Sequence, residues 1–552
     1  MPAVSYRAQR ANTIPAETPA PWKGLNTVDS LAAMDPAYAL SCQNFIATPQ
    51  GLSVRQGYRN WATNLPAATT SLLAYNGRVA SGNKLFAVSG SVIKDITTGG
   101  DVSGAGFTVQ SGLDSTHPYW QYTHQTYTTG SANYLIAVNG SDFPRIYDGT
   151  SWTVCSQTGT PSAPGQFSTV DNNGAGFNIQ NFVDVQLHQQ RLWFVRDGSS
   201  IAYYCPVGQI GGAMKAFDFG PLFPRGGKLM KLATWTLDNG STSGTSAMLV
   251  ALSSKGDCVV YTGNDPATAA NWQLSGTYQL GSPIGRRCVM PYQGDLWLLT
   301  TDGLYALTKY IQSARLDQTQ ALSYTISPTI SDLIATLGGT PGFEMISNPS
   351  NDTVLLNIPQ ANAANNFQFC FNTVTQGWSQ FDSWGAQCFA MFNDAFYFGG
   401  SNYVALGFIG FKDGADINGN GGNNIISTAL SAFSQFSDDT GVGILKHVKM
   451  VKPYIVTGQA NPTIRIGVNT DFNLVPIIGS ATVNPVTGAV WDNAIWDNSG
   501  STWVGSLTTF NQWSTPLSYP GNYLALALSI SATSDTLWAA TNWIITPGGQ
   551  FG

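Results

Sequence analysis

Charge is scarce in this 552-residue chain: Asp, Glu, Lys and Arg together make up 10% of it, against about 25% in an average soluble domain. The polar surface must therefore be built from Ser, Thr, Asn, Gln and Gly. Glutamate is nearly missing, and of 31 acidic residues only Glu17 and Glu344 are glutamates. Helices favour Glu, Lys, Ala and Leu, whereas Val, Thr and aromatic residues suit strands, so the deficit points to mainly β structure. Clustered Lys and Arg are lacking as well. The net charge of −6 argues against a protein that grips phosphates, though not against one past which nucleic acid slides. No stretch approaches the ~18 apolar residues of a membrane span. The start, MPAVSYRAQR, lacks the apolar run of a secretory signal, so a protein made in the cytoplasm is expected. The seven cysteines (Cys42, Cys155, Cys205, Cys258, Cys288, Cys370 and Cys388) are odd in number and scattered, with no C-x-x-C. Free thiols suit that spacing better than a disulfide framework.

What is present is a repeat. The stretch NKLFAVSGSVIKDI (83–96) is an apolar run, a Ser-Gly turn and a second apolar run. The same outline returns at 132–152, 190–204, 247–263, 294–308, 352–381 and 394–408. Each copy reads as a β-hairpin. They recur about every 50 residues, close to the period of a four-stranded propeller blade. One such sheet cannot bury both faces, but sheets arranged around an axis cover one another. Trp193 and Trp297 each follow a leucine in a first hairpin strand, where a large ring can fill the wedge between blades. The plainer alternative is a β-sandwich array of unrelated hairpins. The expected fold is mainly β: a propeller-like domain over 66–412, an N-terminal arm and short helix over 1–65, a Gly/Asn-rich loop over 413–439, and a C-terminal β domain over 440–552. The spacing predicts helices over 34–45, with Asp35 as N-cap, and over 327–338, closed by Gly338.

The residues offer little chemistry. A glycosidase needs paired carboxylates of different pKa, whereas Asp148, Asp197 and Asp302 lie in turn sequences. WDNSGSTW (496–503) has one residue too many for a sialidase-type box. DINGNG (416–421) opens like an EF-hand loop, but position twelve is Ser427 and not the closing glutamate. His117, His124, His188 and His447 have no metal-ligand spacing. GSTSG (240–244) has Thr242 where a nucleophilic serine would stand. In LKHVKMVKPY (445–454), strand alternation sets Lys446 and Lys452 on one face and His447 and Lys449 on the other, which splits the only basic cluster. No catalytic, cofactor-binding or metal residue is expected, and no enzymatic activity. A polar, aromatic-rich surface of low charge suits a subunit that buries much of itself against neighbours.

Two stretches carry a family resemblance. In residues 21–62, a Gly-Leu-Asn run (Gly24, Leu25, Asn26) precedes Pro36, Ala39 and Asn44, then Gly51, Arg55, Gly57 and Tyr58. Near the end, AVWDNAIWDNSGSTWVG (489–505) is punctuated by Trp491, Trp496 and Trp503. Together they resemble the tail nozzle proteins of short-tailed bacteriophages, also called tail tubular protein B or packaged-DNA stabilisation protein. The resemblance runs through arm, propeller-like middle and C-terminal domain in order. It implies a virion protein forming a homo-oligomeric ring, a hexamer, below the adaptor ring of the head-to-tail connector. Tail fibres or spikes would dock on it, and double-stranded genome DNA would pass through its lumen without sequence-specific binding. The Gly/Asn-rich loop 413–424 is then a candidate gate or docking surface. The competing expectation is a glycan-binding propeller adhesin whose exposed tryptophans stack on sugars.

Overall fold

The computed structural model describes residues 13–127, 132–237, 246–312, 318–436, 443–458, 462–476, 508–510 and 512–548. Over most of the first 400 of these, short apolar runs alternate with Gly, Asn or Asp turns, and each run has paired with the next. Four complete antiparallel sheets result first. They are Thr69–Tyr75, Lys84–Ser89, Val92–Asp95 and Thr108–Gln110; Gln121–Thr126, Asn133–Val138, Arg145–Tyr147 and Trp152–Val154; Phe182–His188, Arg191–Arg196, Ile201–Tyr204 and Lys215–Asp218; and Leu229–Leu237, Ser246–Ser253, Asp257–Gly263 and Trp272–Gln279. The fifth sheet has three strands, Val289–Tyr292, Asp295–Thr300 and Gly303–Ala306, and the helix Leu307–Gln312 follows directly. The sixth joins Glu344–Asn348, Thr353–Ile358, Phe367–Asn372 and Trp378–Phe381. In the seventh, Cys388–Phe392, Ala395–Gly399 and Val404–Gly407 are completed by Tyr58–Thr63 from far upstream.

The innermost strand of each sheet lies against that of the next, and the seventh lies against the first. The described residues thus form a closed seven-bladed propeller. Six of the seven sequence hairpins are the middle pair of strands in a blade, and the hairpin at 294–308 is the last pair of the three-stranded fifth blade. These central strands are buried on both faces, as in Thr353–Ile358, because neighbouring blades cover both sides. The wedge positions are filled as expected. Trp193 of the third blade stacks on Trp272 of the fourth with centroids 5.7 Å apart. Trp297 of the fifth meets Phe371 of the sixth edge-on at 5.7 Å.

The sixth blade does not end at its fourth strand. Ala39–Gln43 lies parallel to Trp378–Phe381 through Gln43 and Gln380, and carries the sheet on into Ser427–Ser431, Leu524–Ser531 and Thr463–Thr470. A second sheet contains Phe45–Thr48, Gly51–Val54, Thr536–Pro547, Lys446–Thr457 and Thr508–Phe510, with the arm strand Ile14–Pro19 also on Thr536–Pro547. The two sheets form a β-sandwich around Ile464, Leu526, Val451, Ile455 and Trp543. The same core continues into the fifth and sixth blades at Trp297, Leu356 and Trp378.

Several local expectations change in this context. Residues 34–45 are not helical: Asp35 closes a single turn by accepting the Ala37 N–H, and the chain then enters the strand Ala39–Gln43. Burial of Ala39 and Cys42 between blade and sandwich overrides the capping signal. The Gly/Asn-rich stretch is a hairpin, Lys412–Ala415 paired with Gly421–Asn424. It extends the seventh blade beyond Tyr58–Thr63. The basic strand is bulged between Val448 and Met450, which breaks the alternation that put Lys446 and Lys452 on one face. Lys446 is fully buried, with Nζ donating to the carbonyls of Ile444 and Asn522, while Lys452 lies over the Tyr454 and Trp513 rings. The helix over Ser327–Leu337 forms where the spacing placed it, burying Ile330 and Ile334 and ending at Gly338. The tryptophan-punctuated stretch 489–505 lies outside the described residues.

Candidate functional site: a polar joint and an axial mouth

Several of the residues that carry the family resemblance in 21–62, Asn44, Arg55, Gly57 and Tyr58 among them, meet near one joint. Arg55 is fully buried and uses all five of its donors. Nε donates to Asn44 Oδ1 at 2.8 Å, Nη1 to the Gln56 carbonyl and to Asp413 Oδ1 at 2.9 Å, and Nη2 to the Asp382 carbonyl and to Asp413 Oδ2 at 2.6 Å. Its guanidinium lies 5.4 Å from the Phe381 and Trp384 ring centroids. Asn44, at φ +57°, donates to the Ile426 carbonyl and accepts from the Asp382 N–H. One polar knot therefore ties the arm, the end of the sixth blade, the seventh-blade extension and the sandwich. Tyr58 packs edge-on against Phe398 at 5.0 Å. Gly24 and Gly57 stand where a side chain would strike the backbone carbonyls of Trp378 and Lys412.

A second feature opens on the propeller axis. A cavity of about 410 Å³ is walled by the loops that enter the second, fifth and sixth blades and by Val183 and Asp197 of the third. Two adjacent arginines on its wall behave differently. Arg287, at the start of the fifth blade, donates from Nη1 to the Thr70 carbonyl and Glu344, and from Nη2 to Ser71 Oγ and the Trp120 carbonyl, at 2.6–3.0 Å. It braces the first, second, fifth and sixth blades across the axis. Burial pushes the Glu344 carboxyl up, against the pull of Arg287. Arg286 makes a single hydrogen bond, to Asp197 at 3.4 Å, and its Nε is buried without an acceptor. Burial raises the Asp197 pKa, but Lys228 and Arg286 outweigh it and hold the carboxylate ionised. At the rim His117 Nδ1 lies 2.7 Å from Asp114. Hydrogen bonds from Ser141, Thr116 and His117 hold the Asp114 carboxyl well below the usual range.

The other residues singled out from sequence are dispersed. His124 and His188 are packed in the inner strands of the second and third blades, and burial lowers both pKa values, His188 to about 4. His447 sits in the bulged sandwich strand. Asp148 accepts the N–H groups of Thr150 and Ser151 as a turn residue, and Asp302 accepts the Tyr310 hydroxyl. Asp197 is more than a turn former, since it pairs with Lys228 and Arg286. Asp416 folds its hairpin turn by accepting from Asn418 and Asn420. Among the described residues no group of three or more His, Cys, Asp or Glu could hold a metal ion. All seven cysteines are buried and free, and burial pushes the Cys42, Cys205 and Cys258 thiols up to about 12. Thr242 and the 496–503 stretch lie outside the described residues. Sequence reasoning missed Arg286 and Arg287, whose only signal is that they form the chain's one Arg-Arg pair.

The geometry defines a β-propeller protein with an integrated β-sandwich. No protein-family model matches the chain, and no curated protein matches it. Among solved structures it is similar to YCF48 from Cyanidioschyzon merolae, at 11% identity over 64% of this chain and 98% of that one, with a TM-score of 0.35. It is also similar to the Cps50 (Swd1) β-propeller domain of Myceliophteria thermophila, at 10% identity over 62% and 100%, with a TM-score of 0.35. The propeller assignment rests on the closed ring of sheets.

Proposed function

We propose that this protein is a structural subunit of the tail nozzle of a short-tailed phage, assembling as a ring below the adaptor and presenting docking surface to fibres or spikes. The observation that carries the reading is where the resemblance residues of 21–62 fall. Arg55, Asn44, Gly24, Gly57 and Tyr58 contact the protein's own backbone and side chains, and so weld arm, propeller and sandwich into one body. A part that must transmit load around a ring has use for such a weld. Arg287 crosses the propeller axis, so in this reading DNA travels between subunits and not along a propeller. With a net charge of −6 per chain, walls of that lumen repel phosphate weakly and let DNA slide. The hairpin of Lys412–Ala415 and the exposed strand Gly421–Asn424 is the candidate gate or fibre contact.

Mixing the purified chain with adaptor rings tests this. The expected result is a ring-shaped complex in electron micrographs and a matching rise in mass. A chain that stays monomeric beside intact adaptor rings overturns it. Shortening 413–424 should make assembled virions leak DNA or lose fibres; unchanged stability and infectivity reject that assignment. The adhesin alternative calls for exposed tryptophans, and of the described ones Trp120, Trp193, Trp378, Trp384, Trp538 and Trp543 are fully buried while Trp513 is exposed.

A further inference from the structure

We propose that the axial mouth is a docking pocket for an acidic peptide segment, in which Arg286 receives an Asp or Glu side chain of a partner protein. The contrast between neighbours carries this. Arg287 spends its donors on four groups of the propeller itself. Arg286 faces the same cavity with one long hydrogen bond and a buried Nε that nothing accepts. A guanidinium held in a partly enclosed site with so few acceptors is an incomplete fork, and a carboxylate matches it in geometry and charge. Lys228 shares Asp197 with Arg286, so these two cations share one carboxylate, while the ionised Asp114 at the rim is held by His117, Thr116 and Ser141.

The rest of the wall chooses between kinds of acid. Val183, Ile284, Phe343 and Pro341 supply aliphatic and ring surface, while Gln121 and Asn139 supply amides. The Asn139 amide is engaged by His117, Ser141 and Asp142, which leaves Gln121 to meet the backbone of a short extended segment beside that apolar surface. A sugar would call for an open aromatic face, and the Tyr119 ring is taken by Arg287, 5.4 Å above its centroid. The volume, about 410 Å³, lies in the ordinary range for a bound ligand of this size.

The experiment is selection of a randomised, end-capped heptapeptide library on the intact chain, followed by titration of selected peptides. Enrichment of Asp or Glu at one fixed position is expected, with at least tenfold weaker binding when that residue becomes Gln. Arg286→Gln should abolish the enrichment while leaving the melting temperature unchanged, because so little of the fold depends on that side chain. Pro341→Glu, at an exposed rim position, should weaken the same peptides by adding a like charge without disturbing the core. The proposal fails if no acidic position emerges, if Arg286→Gln leaves the selected peptides bound as before, or if D-glucuronate displaces them at comparable concentration.

Discussion

Arg55 and Asp413, 358 residues apart in sequence, form a two-pronged ion pair at 2.9 and 2.6 Å with the guanidinium fully buried. Asp413 stands at the start of the seventh-blade extension and Arg55 just before the strand that completes that blade. The pair therefore joins the pass of chain that completes the seventh blade to the pass that extends it.

Removing one partner of this pair should be severe. Asp413→Asn or Arg55→Met leaves a buried charge or buried polar acceptors without their match, for which about 3–5 kcal/mol is usual. A lowered denaturation midpoint measured by tryptophan fluorescence checks this, since Trp384 stacks on the same guanidinium. Arg55→Lys should recover little, because an ammonium has three donors where five are used. Wild-type stability in Arg55→Met would show that the knot contributes nothing.

Gly57 makes a separate test of the joint. A Cβ there meets the backbone carbonyl of Lys412, so Gly57→Ala must push Tyr58–Thr63 away from Lys412–Ala415. A loss of about 1–3 kcal/mol is expected from such overpacking. Proteolysis should speed up selectively at the seventh blade, read by mass spectrometry of early fragments. Uniform protection in the variant would contradict the close approach.

Acid should act through His188. Burial holds its pKa near 4, against 6.5 when unfolded. Between those values the unfolded chain binds the proton and the folded chain does not, so stability drops as pH falls from 6.5 toward 4 and this contribution levels off below. At 1.36 kcal/mol per unit the loss is about 3 kcal/mol. Replacing the group with glutamine (His188→Gln) should flatten the urea midpoint between pH 7 and 4.5 relative to wild type. Parallel pH profiles for the two proteins would place the sensitivity elsewhere.

The blades were legible because their signals are local. A hairpin such as NKLFAVSGSVIKDI needs only two apolar runs and a turn between them, and the 50-residue period then implies packing about an axis. Trp193 and Trp297 could be read as wedges for the same reason: position within a repeated strand fixes which neighbour a side chain meets. The helix ending at Gly338 has its periodicity and its stop within one short window.

What escaped the sequence depends on partners hundreds of residues away. Nothing near Asp35 says that Ala39–Gln43 will be needed between the sixth blade and the sandwich, so a good capping signal yielded to burial. No pattern foretells the bulge after Val448, and one inserted residue is enough to send Lys446 inside while Lys452 stays out. Arg286 and Arg287 are adjacent and chemically identical in sequence; only the ring, by bringing Thr70, Ser71, Trp120 and Glu344 to one of them, made it a brace and left the other under-bonded at an open cavity. Sequence determined the strands, the turns and their repetition, which are settled over a few residues. Tertiary structure decided how the ring closes and what each buried charge does, because those follow from which distant donors and acceptors converge.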